Sequence, residues 1–304
     1  MVYVRANYKF ICYKEIPNKL ALNKRWDALY LQVLGAIQSG APIIILTLVV
    51  KDLKIVSVYT IYNMVLSGLY GILGIFTSGL SASFGDVIAR GETSILQRAY
   101  REFELSYYTL ITIIYSIAFV TLMPFIRIYT SNIKDVNYDL PFIGFLFVLN
   151  GLLYSLKTPQ AMIVIAAGMY KETRLQTTLQ GAITVLGGIA LAPFLGITGV
   201  LIASIISNTY RDIDLLFFVP HNLTKLSVSE TLFRWLRAVA CTLVVSLPFY
   251  FIETSINSLL SLVMFALVVA LYALLVVVIS GFVFERKNMK NTVNRIVSLA
   301  GVSK

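Results

Sequence analysis

A single lysine lies near the middle of an otherwise apolar stretch of the chain. Lys157 occupies the segment 140–167, and Pro159 follows it by two positions. A charged side chain at the centre of a membrane-spanning helix costs about 3 kcal/mol, so a partner, a water-filled cavity or a ligand must compensate it. We predict that Lys157 faces a solvated cavity and binds an anion. The alternative is a lysine at a helix kink, held by backbone carbonyls.

Polar side chains in the neighbouring apolar segments are further candidates for contact with a substrate. Along 55–84 they recur at steps of three and four residues, which places them on one helical face. Small and polar residues also serve helix packing in membranes, and this is the alternative for any single serine or threonine. Tyrosine and asparagine are larger and costlier than close packing requires. With Lys157, the predicted substrate-binding residues are Gln32, Gln38, Tyr59, Asn63, Tyr70, Asn150 and Tyr154.

Three charged residues near the end of one apolar segment are candidates for a gate: Arg211, Asp212 and Asp214. A local ion-pair cluster at the water boundary is the commoner outcome for such a group. The acidic residues near the apolar segments, Glu253 among them, all lie at segment ends. We therefore expect no carboxylate well inside a span and no acidic partner for Lys157, which favours an anionic ligand.

Membrane-spanning helices must position these residues. Of the 304 residues, 58% are hydrophobic and only 13% are charged, whereas about 25% are charged in soluble domains. A helix needs roughly 20 apolar residues to cross a bilayer. The sequence predicts an all-α integral membrane protein with eight transmembrane helices, the fifth and sixth joined by a tight reversal at Pro193, Gly196 and Gly199. The spans lie at about 28–50, 55–84, 106–126, 140–167, 176–194, 197–219, 236–253 and 257–284.

The basic residues indicate the direction in which the helices cross the membrane. Twenty of the 25 lysines and arginines lie in the tails and loops of one side, and four lie in the loops opposite. Because basic loops stay in the cytoplasm, both termini are predicted to be cytoplasmic. The formal charge of +10 therefore requires no nucleic-acid partner. Ser227 and Glu230 have capping-box spacing, which predicts an interfacial helix before the seventh span.

Several kinds of chemistry lack the residues that they need. No GxxxxGK[ST] phosphate loop occurs, so ATP hydrolysis by this chain is not expected. His221 is the sole histidine, and Cys12 and Cys241 are the only cysteines. No spacing of metal ligands is present. The sequence predicts neither an enzyme nor a metal or cofactor site.

Four stretches taken together resemble bacterial O-antigen and capsular polysaccharide flippases, and they occur in the family's order. The resemblance covers roughly residues 20–240 and implies the MATE-like fold of the multidrug/oligosaccharidyl-lipid/polysaccharide exporter superfamily. The stretches are DLKIVSVYTIYNMV (52–65), SGLSASFGDVIARGE (78–92), NGLLYSLKTPQAMIVIAAGMYKETR (150–174) and LGITGVLIASIISNTYRDID (195–214).

Such flippases usually have two six-helix lobes followed by two further helices. Eight helices therefore imply the C-terminal part of such a protein, with a separately encoded N-terminal lobe as an expected partner. The implied order is a cytoplasmic basic linker, the six-helix lobe, an interfacial segment, two extra helices and a cytoplasmic basic tail, at 1–27, 28–219, 220–235, 236–284 and 285–304.

The resemblance also implies a substrate and a place of action. The substrate would be an undecaprenyl-pyrophosphate-linked oligosaccharide, moved from the cytoplasmic to the periplasmic leaflet of the bacterial inner membrane. Lys157 matches a position that is often basic in similar proteins, and it would hold the pyrophosphate while the polar residues contact the sugars. Ion coupling stays open, because no carboxylate is expected inside a span.

Three other interpretations remain open at this point. A multidrug exporter of the same fold would share the architecture. A membrane enzyme of polysaccharide assembly, a polymerase or an acyltransferase, would share the pathway, although the short external loops and the single histidine speak against it. A non-transporting fragment would share the sequence without the activity.

Overall fold

A computed structural model describes residues 25–133, 135–250, 256–286 and 288–290. These residues are almost entirely helical, and no β-strand occurs among them. The predictions for the N-terminal tail, for Glu253 and for the last residues of the C-terminal tail lie outside the described part. The helices are α1 (Arg25–Ile45), α2 (Leu53–Ser78), α3 (Leu80–Ala89), α4 (Thr93–Tyr129), α5 (Pro141–Leu156), α6 (Thr158–Ala166), α7 (Arg174–Leu195), α8 (Ile197–Val219), α9 (Val228–Tyr250) and α10 (Leu259–Phe284), with π-helical turns at Leu46–Val50 and Pro220–Thr224.

Seven stretches within the described residues are long and apolar enough to cross a membrane, which confirms the predicted fold class: the chain is an all-α membrane protein. Several of them combine two of the helices named above. The stretches are Arg25–Val50, Leu53–Ala89, Thr93–Tyr129, Pro141–Ala166, Arg174–Leu195, Val228–Tyr250 and Leu259–Phe284.

The remaining predicted span, 197–219, forms helix α8 but differs from the others in composition. Every span-length stretch of α8 contains Arg211, Asp212 and Asp214, so it is not apolar enough to cross a membrane by composition alone. More than half of its residues are buried against other helices. Ile206, Ile213 and Phe217 are exposed on its other side, whereas Arg211 and Asp212 lie on the buried side against protein neighbours, which is the physical reason that these charges are accommodated there.

Two of the spans are broken into pairs of helices. Gly79 separates α2 from α3, and Lys157 separates α5 from α6. Pro159 lies at the start of α6, where its missing N–H removes a helical hydrogen bond. The predicted kink beside Pro159 is therefore confirmed. The two shorter helices, α3 and α6, touch closely, since a Cβ on Gly85 would lie 3.3 Å from the carbonyl oxygen of Ala166.

Helices α7 and α8 form a tight antiparallel pair. Gly196 has a φ of +55°, a left-handed conformation that glycine adopts without strain, and it ends α7 at the predicted reversal. Gly199 then lies directly against the preceding helix: an added Cβ would be 2.6 Å from the carbonyl oxygen of Leu191. Further along, the Thr184 hydroxyl donates to the Ser207 hydroxyl at 2.7 Å. Small and hydroxyl side chains thus allow close approach of the two helices.

We expect Gly199→Ala to lower the free energy of unfolding by about 1–3 kcal/mol, because the new methyl group overlaps the backbone of α7. Chemical denaturation in detergent micelles would measure the effect. Gly68→Ala is the matched control: Gly68 is also helical, but a Cβ there meets no atom within 4 Å. That change should stabilise slightly, since alanine favours helix by about 1 kcal/mol over glycine. Equal effects of the two substitutions would contradict the close approach.

The last two helices pack on the long helix α4. In α9 and α10 the residues Val245, Val269 and Ala273 are buried against apolar side chains of α4 that include Ile113 and Ile117. Helix α9 is continuous from Val228 to Tyr250, so residues 228–235 of the predicted interfacial segment share one helix with the following span, whereas Pro220–Thr224 forms a separate π-helical turn. Helices α4 and α9 begin at the same end of the bundle, and α10 ends there.

Candidate functional site

Lys157 lies at the break between α5 and α6, with only 7% of its surface exposed. Its ammonium group donates to the Asn208 Oδ1 atom of α8 at 2.5 Å. The same nitrogen lies 4.6 Å from the centre of the Tyr154 ring, within the range of a cation–π interaction. Side chains rather than kink carbonyls therefore hold the amine. The expected solvated cavity is not open at Lys157, because the Tyr154 ring covers it.

Two asparagines connect the break to α8. Asn208 accepts from Lys157 through its oxygen, and its Nδ2 donates to the Asn150 Oδ1 atom at 2.9 Å. Asn150 lies on α5, two turns before Lys157. The side-chain amide of Asn208 therefore joins α8 to α5 through both hydrogen bonds. Asn208 was not among the predicted binding residues. The sequence indicates a role for Asn208 only through its position one turn before Asp212, on the same face of α8.

Asp212 is the buried carboxylate of α8, the helix that supplies the hydrogen-bond partner of Lys157. It is 3% exposed, and neither of its carboxylate oxygens has a hydrogen-bond partner among the described residues. It lies one turn after Asn208, the hydrogen-bond partner of Lys157, although Asp212 and Lys157 form no direct ion pair. The expectation that Lys157 has no acidic partner stays a prediction, but Asp212 is buried although it lies toward the end of α8. The reason is that burial along α8 follows from the helices around it and not from distance to its end.

The other two gate candidates bind each other. The Arg211 guanidinium and the Asp214 carboxylate form an ion pair with an N–O distance of 2.5 Å, three residues apart on α8. This is the local ion pair given as the alternative to a gate. Arg211 is buried, however, so the pair does not lie in open water. Asp212 does not take part in it.

The predicted aromatic residues divide into two groups. Tyr70 and Tyr154 pack together, with ring centres 4.8 Å apart, and Tyr154 remains 46% exposed. They form one side of the site around Lys157. Tyr59 is buried on the same helix as Tyr70 and packs on Phe147 at 5.0 Å.

The remaining candidates lie outside this group. Asn63 is half-buried on α2 and has no hydrogen bond to another described residue. Gln32 is exposed on α1. Gln38 donates to the backbone carbonyl of Thr177 at 3.2 Å and so fastens α1 to α7. The structure therefore joins Lys157, Asn150, Tyr154 and Tyr70, and it leaves the two glutamines apart from them.

One face of α2, beside Tyr70, exposes small residues together with large apolar ones. Ser67 and Ser78 are exposed on it, and a Cβ on Gly68, Gly71 or Gly74 would meet no atom within 4 Å. Met64 and Ile75 are exposed among them. Because small residues allow the backbones of two helices to approach closely, this face is suited to packing against another helix.

A buried ionic network lies next to the break and was not predicted. Glu104 of α4 is 0% exposed and pairs with Arg234 of α9, 1% exposed, at 2.6 Å. Glu104 was not predicted because the third predicted span begins at residue 106. Arg234 was predicted to lie in a loop. Both groups face α9 or α4 rather than solvent. The spacing of Arg234 and Arg237 on one helical face was the available signal.

Glu285, just beyond the end of α10, extends the network. Its carboxylate pairs with Arg234 at 2.7 Å and with Arg237 at 2.6 Å. Burial disfavours the charged carboxylate, but the hydrogen bonds and the positive charges of the two arginines outweigh it and lower the pKa of Glu285.

We expect the protein to lose stability as the pH falls below about 4.5, and Glu285→Gln to remove part of that loss. A carboxyl group whose pKa is lowered by folding stabilises the fold above its unfolded pKa, and this contribution disappears as the pH falls through the folded value. Unfolding free energies at pH 7 and pH 3.5 would measure the difference. An identical pH dependence in both proteins would contradict the role of Glu285.

Two sizeable cavities open elsewhere on the surface. One of about 770 Å³ lies beside the network and includes Arg98, Arg101 and Glu285 in its lining. The other, of about 800 Å³, adjoins the π-helical turn after α8. Neither is lined by Lys157. Within the described residues, no group of three or more His, Cys, Asp or Glu residues is arranged to hold a metal ion.

Comparison with protein-family models, with curated proteins and with solved structures found no match to this chain.

Proposed function

We propose that this chain binds the pyrophosphate of an undecaprenyl-linked oligosaccharide and takes part in moving that lipid across the bacterial inner membrane. The observation that carries the proposal is a buried lysine at a helix break, inside a span. A cation in this position needs a compensating anion or a functional reason to be there. The resemblance of four sequence stretches to polysaccharide flippases supports the choice of substrate.

The neighbours of Lys157 suit reversible binding of an anion. Asn208 takes one N–H of the ammonium group and leaves the others for a ligand. The Asp212 carboxylate, one turn after Asn208 on α8, has no hydrogen-bond partner among the described residues. A pyrophosphate at Lys157 competes with that carboxylate for the same cation. In this proposal, Asp212 is the internal anion that replaces the ligand after release.

Access to the amine depends on Tyr154. The Tyr154 ring lies over the ammonium nitrogen, and about half of the Tyr154 side chain is exposed beside α2. A rotation of this side chain uncovers Lys157 without movement of a helix. Tyr70 then offers a second ring beside the first, and paired aromatic faces suit contact with sugar rings.

The exposed face of α2, with its small residues, supports a second polypeptide as partner. Ser67, Gly71 and Gly74 lie open on it, next to Tyr70 and Tyr154. Membrane helices associate through small residues of this kind, because their backbones approach closely there. We propose that a second six-helix lobe covers this face and completes the pathway. Transport by rocking of two repeats around a midplane site requires both.

A binding experiment tests the proposal without requiring the second lobe. The purified chain in detergent would be titrated with undecaprenyl pyrophosphate, and binding would be followed by native mass spectrometry. We expect saturable binding that undecaprenol, with the same tail and no phosphate, does not show. Equal binding of the two lipids would contradict the proposal that the chain binds the pyrophosphate group.

Asp212→Asn should tighten the binding of undecaprenyl pyrophosphate, by about 5- to 20-fold, because the competing charge is removed. An interaction of about 1–1.8 kcal/mol between the two charges corresponds to this range, because each 1.4 kcal/mol is about tenfold in affinity. The same titration measures the change. Asp86→Asn is the control, since Asp86 is well exposed and pairs with Arg90 at the end of α3. Unchanged or weaker binding by Asp212→Asn would contradict the competition.

A further inference from the structure

The helix break at Lys157 is held on its N-terminal side by a tyrosine of α4. A break leaves carbonyl groups at the end of the first helix without their usual partners. The Tyr108 hydroxyl donates to the carbonyl oxygen of Leu156, the last residue of α5, at 3.1 Å. Tyr108 is completely enclosed, so this hydrogen bond has no competition from water.

The C-terminal side of the break is held by the same part of α4. Gln160, in the first turn of α6, donates through its Nε2 atom to the Tyr108 hydroxyl at 2.9 Å and to the Glu104 Oε1 atom at 3.1 Å. Gln160 is also buried. Two residues of α4, one turn apart, therefore fasten both helices that meet at Lys157.

These two residues of α4 are in turn fixed by α9. The Trp235 Nε1 atom donates to the Tyr108 hydroxyl at 2.7 Å. Arg234 pairs with Glu104 at 2.6 Å, and the Thr231 hydroxyl donates to the other Glu104 oxygen at 2.8 Å. With the bond from Gln160, both oxygens of the buried carboxylate are occupied. Buried networks of this kind rigidify a structure when every member is satisfied.

The end of α10 completes the connection. Glu285 accepts from the Arg234 Nε and Nη2 atoms at 2.9 and 2.7 Å, so the guanidinium group is shared between two carboxylates. A continuous series of hydrogen bonds thus runs from Glu285 through α9 and α4 to both sides of Lys157.

We infer that Tyr108, Glu104 and Arg234 are positioning residues for Lys157, and that the last helix pair, α9 and α10, sets the geometry of the anion site. The consequence for ligand binding rests on the proposed function; the consequence for the position of residue 157 does not. The pair is accordingly part of the binding machinery and not only a membrane anchor.

The experiment uses a thiol as a reporter at the break. Lys157→Cys is made in a chain with Cys12→Ser and Cys241→Ser, and its labelling rate with a water-soluble maleimide is measured in membranes without any lipid ligand. Tyr108→Phe and Gln160→Leu are then added separately. Each removes hydrogen bonds of the network and leaves an apolar side chain of similar size. Tyr108→Phe alters no direct hydrogen bond of the Glu104–Arg234 pair, whereas Gln160→Leu removes one donor to Glu104 and leaves its bonds to Arg234 and Thr231 in place.

We expect each of these substitutions to raise the labelling rate of the Lys157→Cys thiol about tenfold. Tyr62→Phe is the matched control: Tyr62 is equally buried and also donates to a backbone carbonyl, that of Tyr138, away from the break. Tyr62→Phe should leave the labelling rate unchanged, although it should lower the thermal stability about as much as Tyr108→Phe does. An unchanged rate with Tyr108→Phe, or an equal rise with Tyr62→Phe, overturns the inference. If the labelling result holds while undecaprenyl pyrophosphate fails to bind, the proposed function fails and the positioning role stands.

Discussion

Replacement of Lys157 by alanine is expected to weaken the binding of undecaprenyl pyrophosphate by at least about 100-fold. Loss of one partner of a buried charged hydrogen bond costs about 2–5 kcal/mol, and each 1.4 kcal/mol is about tenfold in affinity. Lys157→Arg should retain part of the binding, because the charge remains while the larger planar group fits the Asn208 oxygen less well. Titration of the purified variants would measure both values.

The same substitution has an expected result in a cell that depends on this chain for surface polysaccharide. Lys157→Ala should stop the appearance of polysaccharide at the surface, while lipid-linked repeat units accumulate inside. Lys54→Ala is the control, since Lys54 is exposed at the start of α2 and takes no part in the site. Normal surface polysaccharide with Lys157→Ala, at normal protein levels, would exclude Lys157 as the pyrophosphate ligand.

Replacement of Glu104 by alanine is expected to lower the free energy of unfolding by about 3 kcal/mol or more. Removal of one partner of a buried ion pair leaves an uncompensated charge, which costs about 3–5 kcal/mol. Glu285 still compensates part of the Arg234 charge, so the lower end of that range is expected. Glu104→Gln should cost less, because its single amide oxygen still accepts from one of the two donors, Arg234 or Thr231. Denaturation in mixed micelles would rank the two variants.

An exposed ion pair provides the comparison for this prediction. Asp86 and Arg90 form a pair on α3 in which both side chains are well exposed. Water competes for such groups, so Asp86→Ala should change the free energy of unfolding by less than about 1 kcal/mol. A Glu104→Ala protein as stable as Asp86→Ala would show that the buried network contributes little to the fold.

The fold class was accessible from the sequence because a bilayer imposes simple requirements on a chain. A span must be long and apolar, and its backbone must satisfy its own hydrogen bonds, so hydropathy alone locates helices. The break beside Pro159 and the reversal at Gly196 followed from local chemistry in the same way. Helix α8 departed from the pattern, since Arg211, Asp212 and Asp214 make it too polar to be recognised as apolar by composition.

The candidate site was only partly accessible from the sequence. Lys157 was found because a cation in an apolar segment is costly wherever the segment packs. Its partner Asn208 was not predicted, and Asp212 was predicted only as part of a gate, since their distance from Lys157 is set by how α5 and α8 pack and not by spacing along the chain. Gln38 was placed at the site for its polarity, whereas the structure uses it to join α1 to α7.

By itself, then, the sequence determined that the chain is a helical membrane protein, where most of its spans begin and end, and that one buried lysine requires an explanation. These properties depend on residues close together along the chain and on their transfer from water to lipid. Only the tertiary structure decided which polar groups surround Lys157, that Glu104 and Arg234 are paired inside the bundle, and that the last two helices reach the break through Tyr108. Those contacts join residues far apart in sequence, and helix packing alone brings them within hydrogen-bond distance.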